Sequence, residues 1–466
     1  MSEQTAYVDK RIPIFPRSVK GTFRNIKTAI LLMAYGVYFL LPWFPWDREN
    51  GPSQTVLFDI VHRRFFIFDL VVYAQDIFWL AGFLIIGAFL LFFVTGILGR
   101  VFCGYFCFQT LWTDVFIFIE RLVQGERNAR IKLARSGWTG RKIYLKSLTW
   151  LLWFLVAFWT GLSFTLYWGE SGQLIRDFFS GQAPFPAYAT TVFLTMTTLV
   201  MAGLAREQVC TYMCPYARFQ SAMFDKDTMV VAYDEGRGEC SNGRCKPSKE
   251  NLPHEYRQEN GLGDCIDCGY CVQVCPVGID IRNGLQYQCI SCALCIDACN
   301  TMMDTIKYPR GLIKYTSENQ LENKPHRLFK FKNIGYAIAL IIVTSVLITA
   351  IVNRKDMELH VRQVRQPLYI TLASGHIQNR YSIKVFNKQD KPQDYYLSMS
   401  GLEQARLEVK PSDVFTIQGG QSLTLSARVT VDPELIDDDK EGFQFVLVNK
   451  TNDEHINTEA QIFLPE

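Results

Sequence analysis

Cysteine carries the clearest chemistry in this sequence. The segments CIDCGYCVQVCP, from Cys265, and CISCALCIDAC, from Cys289, each read C-x2-C-x2-C-x3-C. Three thiolates spaced by two residues wrap one corner of an iron–sulfur cubane, and a distant fourth closes it. In the bacterial two-cluster run, the fourth cysteine ligates the other cluster. The expected ligand sets are therefore crossed. One [4Fe–4S] cluster takes Cys265, Cys268, Cys271 and Cys299; the other takes Cys289, Cys292, Cys295 and Cys275. Pro276, Gly269 and Ala293 suit the tight turns this wrapping needs. Zinc is the competing reading, but its sites use two C-x2-C pairs set well apart. Two adjacent clusters form an electron wire.

Eight of the 14 cysteines are used in this way. Four of the others form two similar C-x3-C pairs, Cys103/Cys107 in GRVFCGYFCFQT and Cys210/Cys214 in REQVCTYMCPYARFQ. On a helix, residues four apart share one face, so each pair is expected to present two sulfurs together. Three readings compete. The thiols are small packing residues, or soft-metal ligands suited to copper(I), zinc or iron–sulfur, or a redox dithiol, for which the geometry is restrictive. Matched spacing and matched position favour the metal, with copper(I) the softest candidate and Met213 a further soft donor. Pro215 is expected to break or end its helix just after the second pair. The last two thiols, Cys240 and Cys245, lie in the polar loop GECSNGRCKP, either as a metal clip or as incidental thiols.

Several chemistries are excluded. None of the six histidines lies in an apolar run, so a membrane bis-histidine haem is unavailable to this chain, and CxxCH is absent. No Rossmann or P-loop fingerprint appears, so nothing indicates a nicotinamide, flavin or ATP site of its own. The net charge of +3 gives no reason to expect nucleic acid.

The elements that must position these thiols are membrane helices. Hydrophobic residues make up 49% of the chain and aromatics 14%, and the charges cluster between five long uncharged runs, 28–46, 77–99, 147–169, 178–205 and 333–353. A crossing needs roughly 20 apolar residues, so five crossings are expected. The first run begins too late and is too long for a secretory signal. Lys10, Arg11, Arg17, Lys20, Arg24 and Lys27 precede run one, and Arg121, Arg127, Arg130, Lys132, Arg135, Arg141 and Lys142 fill the loop 100–146. The loop between runs three and four has only Arg176, and that between runs one and two sets Arg48, Arg63 and Arg64 among acidic residues. The positive-inside rule then puts the N-terminal tail 1–27 and the cysteine-rich segment 206–332 in the cytoplasm, and 354–466 in the periplasm. Thiols on the cytosolic side stay reduced, which disfavours disulfides. Both C-x3-C pairs fall at cytoplasmic helix ends, and runs one–two and three–four read as a weak repeat. QTLWTDVFIFIERLV places Leu111, Trp112, Val115, Phe116, Ile119 and Val123 on one face, as an interfacial helix. The stretch 321–332 is basic and is expected at the inner surface before run five.

Beyond residue 365 the pattern changes. YSIKVFNK, LTLSARVTV and GFQFVLVNK alternate apolar and polar residues between turn signals such as GG and DPEL. About seven short strands of this kind predict an immunoglobulin-like β-sandwich. It has no cysteine and no catalytic constellation, and reads as a docking or spacing module. The expected architecture is thus a five-helix transmembrane bundle, a two-cluster ferredoxin domain and a C-terminal sandwich.

Taken together, GRVFCGYFCFQTLWTD, REQVCTYMCPYARFQSAMFD, the two ferredoxin runs, the fifth helix and the β-rich tail resemble the CcoG/FixG family over nearly the whole chain. Members assist assembly of cbb3-type cytochrome c oxidase, and the family is associated with reduction of copper(II) to copper(I) for the oxidase's copper centre. The resemblance implies a cupric reductase in a bacterial inner membrane, with two [4Fe–4S] clusters on the eight cysteines above. Copper falls on Cys103, Cys107, Cys210 and Cys214, which are then the catalytic residues. It also implies oxidase assembly factors, a copper chaperone or transporter, and an unidentified electron donor as partners. The family usually has Pro after the first pair; Phe108 stands there, so an altered local backbone is expected with the thiols kept. Cys240 and Cys245 are additional to the family pattern. The alternatives are a membrane electron relay of the kind found in the NapH and NosR groups, discharging to quinone or a periplasmic acceptor, and a non-redox assembly scaffold.

Overall fold

A computed structural model describes residues 14–48, 51–73, 76–248, 253–327, 330–389, 391–402, 405–433 and 440–464. Lys10, Arg11 and part of the DPEL turn lie outside them, as do two residues of the basic stretch 321–332. The chain forms two compact units, Met1–Trp46 with Gln54–Leu347, and Asp47–Ser53 with Ile348–Glu466.

In the first unit, α1 (Thr22–Leu40) leads through a three-stranded antiparallel sheet, β1 (Val56–Asp59), β2 (Arg64–Ile67) and β3 (Leu70–Tyr73), to α2 (Ile77–Leu98). There follow α3 (Val101–Tyr105), α4 (Phe108–Gln124), α5 (Arg127–Arg135), α6 (Gly140–Leu166), α7 (Ser171–Ser180) and α8 (Phe185–Thr198), the last continued as a π-helix over Leu199–Ala205. A second π-helical turn, Val209–Met213, precedes α9 (Pro215–Met223).

Among the described residues six helices, not the expected five, are long and apolar enough to cross a membrane: Thr22–Trp43, Ile77–Leu98, Val101–Gln124, Gly140–Leu166, Phe185–Ala205 and Phe331–Val352. The extra one is the combined α3–α4 segment. Its apolar character is masked in the sequence by Asp114, Glu120 and Arg121. The first two are buried against cations: Arg24 donates to both Asp114 oxygens at 2.9 Å, and Glu120 pairs with Arg130 at 3.3 Å and Arg206 at 2.7 Å. The face expected to lie along the bilayer as an interfacial helix packs instead on α6, with Phe116 stacked on Trp153 (centroids 5.3 Å apart) and the Trp112 indole donating to Thr160 Oγ1 at 2.9 Å.

The fourth apolar run is also divided. Gly181, at φ 79°, caps α7 and Pro184 precedes α8, so 178–205 is a short helix, a turn and a spanning helix. Helices approach closely where small residues permit, as is usual in lipid. A Cβ at Gly161 of α6 would lie 2.6 Å from the Thr191 carbonyl oxygen of α8.

The cysteine-rich region follows α9. Strand β4 (Val230–Tyr233) pairs antiparallel with β5 (Ile313–Thr316). Between them lie α10 (Glu235–Glu239), α11 (His254–Glu259), α12 (Tyr270–Val274) and α13 (Leu294–Ile306). After β5, α14 (Glu318–Leu321) leads to α15 (Phe331–Val352). Helix α1 is tied to this region at its first turn. The Asp297 carboxylate of α13 accepts from the amides of Phe23 (3.3 Å) and Arg24 (2.7 Å), two of the donors a helix start leaves free.

The second unit is a β-sandwich. One sheet runs β10–β12–β8–β6, with β7 on β8, and the other β11–β9–β13–β14. In chain order the strands are β6 (Met357–Gln363), β7 (Ile370–Thr371), β8 (Ile377–Asn387), β9 (Gln393–Ser400), β10 (Arg406–Lys410), β11 (Val414–Ile417), β12 (Ser422–Val431), β13 (Lys440–Asn449) and β14 (His455–Phe463). Nine strands thus replace the expected seven among the described residues, because β7 and β11 are too short to show alternation. Tyr381, Phe443 and Phe445 form the aromatic centre of the core, with ring separations of 5.0 to 5.7 Å.

Candidate iron–sulfur and thiol site

The two cysteine runs fold as one pattern used twice. Asp267 and Gly269 in the first run have φ of 48° and 64°; their counterparts Ser291 and Ala293 have 53° and 59°. Left-handed residues at matched positions curl each run around its own hollow, and the non-glycine ones carry a conformational cost that the loop's neighbours must offset. Each run then enters a helix, α12 after Gly269 and α13 after Ala293. The two helices pack together, which brings the fourth cysteine of each run to the other run's hollow.

The result is two cysteine-lined cavities. One is lined by Cys265, Cys268, Cys271 and Cys299. The other is lined by Cys275, Cys289, Cys292 and Cys295, with Cys271 at its margin. These are the crossed sets expected from the spacing. Their walls are otherwise mainly apolar, with Leu312 and Ile313 in the first, Val277 and Ile290 in the second. Burial pushes Cys275 up to about 12 and Cys289 up to about 11, with neighbouring thiols adding to each shift. Burial likewise raises Cys271 and Cys299 to about 12. Sulfurs in such surroundings become thiolates only against a strongly cationic centre, which fits an iron–sulfur group. The backbone amide of Ser291 reaches Cys289 Sγ at 3.4 Å.

Of the four other predicted thiols, Cys103 packs with Ile290 and Cys292 of the second cavity, and Cys210 lines a hollow with Val277 and Ile290. Neither pair shares a face of a continuous helix, as the spacing suggests, because each straddles a break. Cys103 is in α3, but Cys107 (φ −65°, ψ 126°) is extended and caps α4. Cys210 is in the second π-helical turn, and Cys214 (φ −78°, ψ 111°) is extended and caps α9. Pro215 therefore starts a helix rather than ending one, a position where its missing N–H costs nothing. The four sulfurs are close enough to influence one another electrostatically. Burial, then Cys107 and Cys214, push the Cys210 thiol up to about 11. Among the described residues no three His, Cys, Asp or Glu side chains are drawn to single-ion ligand distances. The four thiols are gathered without forming a finished single-metal site. Cys103 is buried and its Sγ donates to Gln220 Oε1 at 3.2 Å.

Helix α3 packs directly on the second cavity. A Cβ at Gly104, between the paired cysteines, would lie 2.7 Å from the Ile290 carbonyl oxygen and 2.9 Å from Cys292 Cα. The Tyr105 hydroxyl donates to the Cys292 carbonyl at 3.2 Å. Cys103, Ile290, Cys292 and Leu294 belong to one packed core.

Comparison with known proteins finds iron–sulfur domains in this part of the chain. Residues 205–318 match a 4Fe-4S dicluster domain, 80–124 a 4Fe-4S binding domain, and 347–465 the IG-like fold at the C-terminus of FixG. Protein RdxB of Cereibacter sphaeroides is 41% identical over 427 residues, covering 89% of this chain and 88% of that protein. Nitrogen fixation protein FixG of Rhizobium meliloti is 33% identical over 459 residues, covering 91% and 84%. The chain belongs to the CcoG/FixG family. A crystal structure of a FixG-related protein from Vibrio parahaemolyticus aligns with 24% of this chain and all of its own, at 23% identity and a TM-score of 0.23.

This CcoG/FixG protein is an iron–sulfur membrane protein of oxidoreductase type. Its Phe108, expected to alter the backbone, leaves Cys107 in nearly the same conformation as Cys214, which Pro215 follows. Cys240 is exposed and Cys245 partly so; their sulfurs donate to the carbonyls of Arg237 and Lys246. Gly104, Tyr105, Gln220 and Arg100 belong to the site but escape sequence reasoning. Only the glycine set between two paired cysteines gives a local signal.

Proposed function

We propose that this protein reduces copper(II) to copper(I) at Cys103, Cys107, Cys210 and Cys214, supplying copper for the centre of a cbb3-type cytochrome c oxidase. The observation that carries this reading is the packing of α3, with Cys103, on the backbone of Cys292. The ligand sets are Cys265, Cys268, Cys271 and Cys299, and Cys275, Cys289, Cys292 and Cys295. When bound, the iron–sulfur groups supply electrons singly, and one electron per ion converts copper(II) to copper(I). The chain's own contribution is to gather soft sulfur donors, which favour copper(I), within reach of the second cavity. Displacing the Cys210 proton is part of the cost of loading, since metal ligation requires the thiolate. In this reading the cysteine-rich region faces the cytoplasm of a bacterial inner membrane, where an unidentified one-electron carrier reduces it. The sandwich faces the periplasm, and a copper chaperone or transporter and oxidase assembly factors are the partners. The basic segments before α1 and around α5 support that orientation.

The test is anaerobic. Protein reduced with dithionite and desalted is given copper(II) in the presence of a chromogenic copper(I) chelator. Stoichiometric copper(I), lost in the four-serine variant with iron content unchanged, is the expected result; copper(I) formed equally well by that variant would remove the site. A second reading, an electron relay, is favoured by the match of 80–124 to a 4Fe-4S binding domain, since that segment contains Cys103 and Cys107. It predicts clusters that ignore copper and discharge to a quinone.

A further inference from the structure

Arg100 lies between α2 and α3, 2% exposed. Its Nη1 donates to the Tyr287 carbonyl, two residues before Cys289, and its Nη2 to the Ala217 carbonyl, three residues after Cys214. Its Nε is buried with no hydrogen-bond partner. By contrast, buried Arg130 and half-buried Arg206 share Glu120. For Arg100 no carboxylate partner is present among the described residues. A buried cation without an anion is heavily penalised, so its counter-charge has to come from something else that the site holds. The sulfurs within its electrostatic reach are Cys289 on one side and Cys103 and Cys210 on the other.

We propose that Arg100 is a positioning cation shared by the second cluster and the membrane thiols, which serve as its counter-anions, and that it raises the reduction potential of the second cluster. This rests on the ligand sets and thiol site proposed above. A cubane held by four thiolates is anionic and gains one further negative charge on reduction, and its potential follows the local charge. A fixed cation favours the reduced state and raises that potential. At the first cavity the arginine in the lining, Arg282, is paired with Asp267 at 2.5 Å and Asp280 at 2.6 Å. A second arginine there, the fully buried Arg257, donates to the Cys265 carbonyl at 3.2 Å. The effect of Arg100 is therefore specific to the cluster in contact with α3.

The test compares wild type, R100M and R100K as cluster-loaded protein without copper, by potentiometric titration read by electron paramagnetic resonance. In R100M the equilibrium constant for reducing one cluster falls about tenfold relative to the other, a shift of about 59 mV for one electron. R100K, which keeps the charge, shifts less. The moving signal is absent from Cys289→Ser protein. Unchanged potentials, or equal shifts of both clusters, in whichever variant retains its iron would overturn the proposal. A wild type that shows the selective shift on R100M substitution yet reduces no copper would sink the copper reading and leave the Arg100 assignment standing.

Discussion

The two cysteine cavities share a fold pattern and differ in what surrounds them. The first has an exposed corner at Cys268 and a rim arginine neutralised by two carboxylates. The second has no exposed cysteine, is covered by α3, and has Arg100 at its edge with no carboxylate partner among the described residues. Duplicated loops thus give two sites of similar chemistry, and the asymmetry comes entirely from what packs against them. Electrons are expected to arrive at the solvent-facing first cavity and leave through the second. In the proposed function that direction would come from packing, since the spacing of the cysteines is identical in both runs.

Breaking the second cavity should have the largest effect. Cys289→Ser is expected to remove about half of the iron and abolish copper(I) formation. Cys268→Ser should slow reduction by an external carrier while a reduced second cluster still delivers its electron; iron analysis with chelator trapping distinguishes the two. Next, Cys103→Ser with Cys107→Ser should abolish copper binding and leave both clusters intact, as read by metal content and visible absorbance. Equal copper binding would detach the thiols from the second cavity's function. A smaller effect is expected from Gly104→Val, whose side chain collides with Ile290 and Cys292. Overpacking of this kind costs about 1–3 kcal/mol, and copper(I) should form more slowly in rapid mixing with both metals still bound. The smallest belongs to Phe108→Pro. Cys107 already holds the conformation that precedes a proline at Cys214, so stability should change by no more than about 0.5 kcal/mol and copper reduction should not change. A large loss in thermal unfolding would show that the two thiol pairs are not equivalent.

The cavities were the most legible part of the molecule, because a C-x2-C-x2-C-x3-C run constrains its own backbone. The left-handed turns at Gly269 and Ala293 are local consequences of that spacing. Local pattern misled where distant partners intervene. The segment 109–123 read as an interfacial helix, yet the cations of its Asp114 and Glu120, namely Arg24, Arg130 and Arg206, come from other segments and let the α3–α4 segment be largely buried. Helical spacing placed each thiol pair on one face, whereas the breaks at Cys107 and Cys214 turn the second sulfur of each pair out of its helix. Gly181 and Pro184 carried the signal that divides the run 178–205, which uniform hydrophobicity obscured. Arg100 gave no signal at all, since its meaning depends on Tyr287 and Ala217, far away in sequence.

The most direct test of electron passage from the second cavity to the membrane thiols is rapid anaerobic mixing of cluster-reduced protein with copper(II), following bleaching of the reduced clusters and copper(I) in the same shot. The two traces are predicted to share one rate in wild type, and both to collapse in the variant with Cys103, Cys107, Cys210 and Cys214 replaced by serine. Clusters in that variant that are oxidised by copper(II) at the wild-type rate would contradict the account.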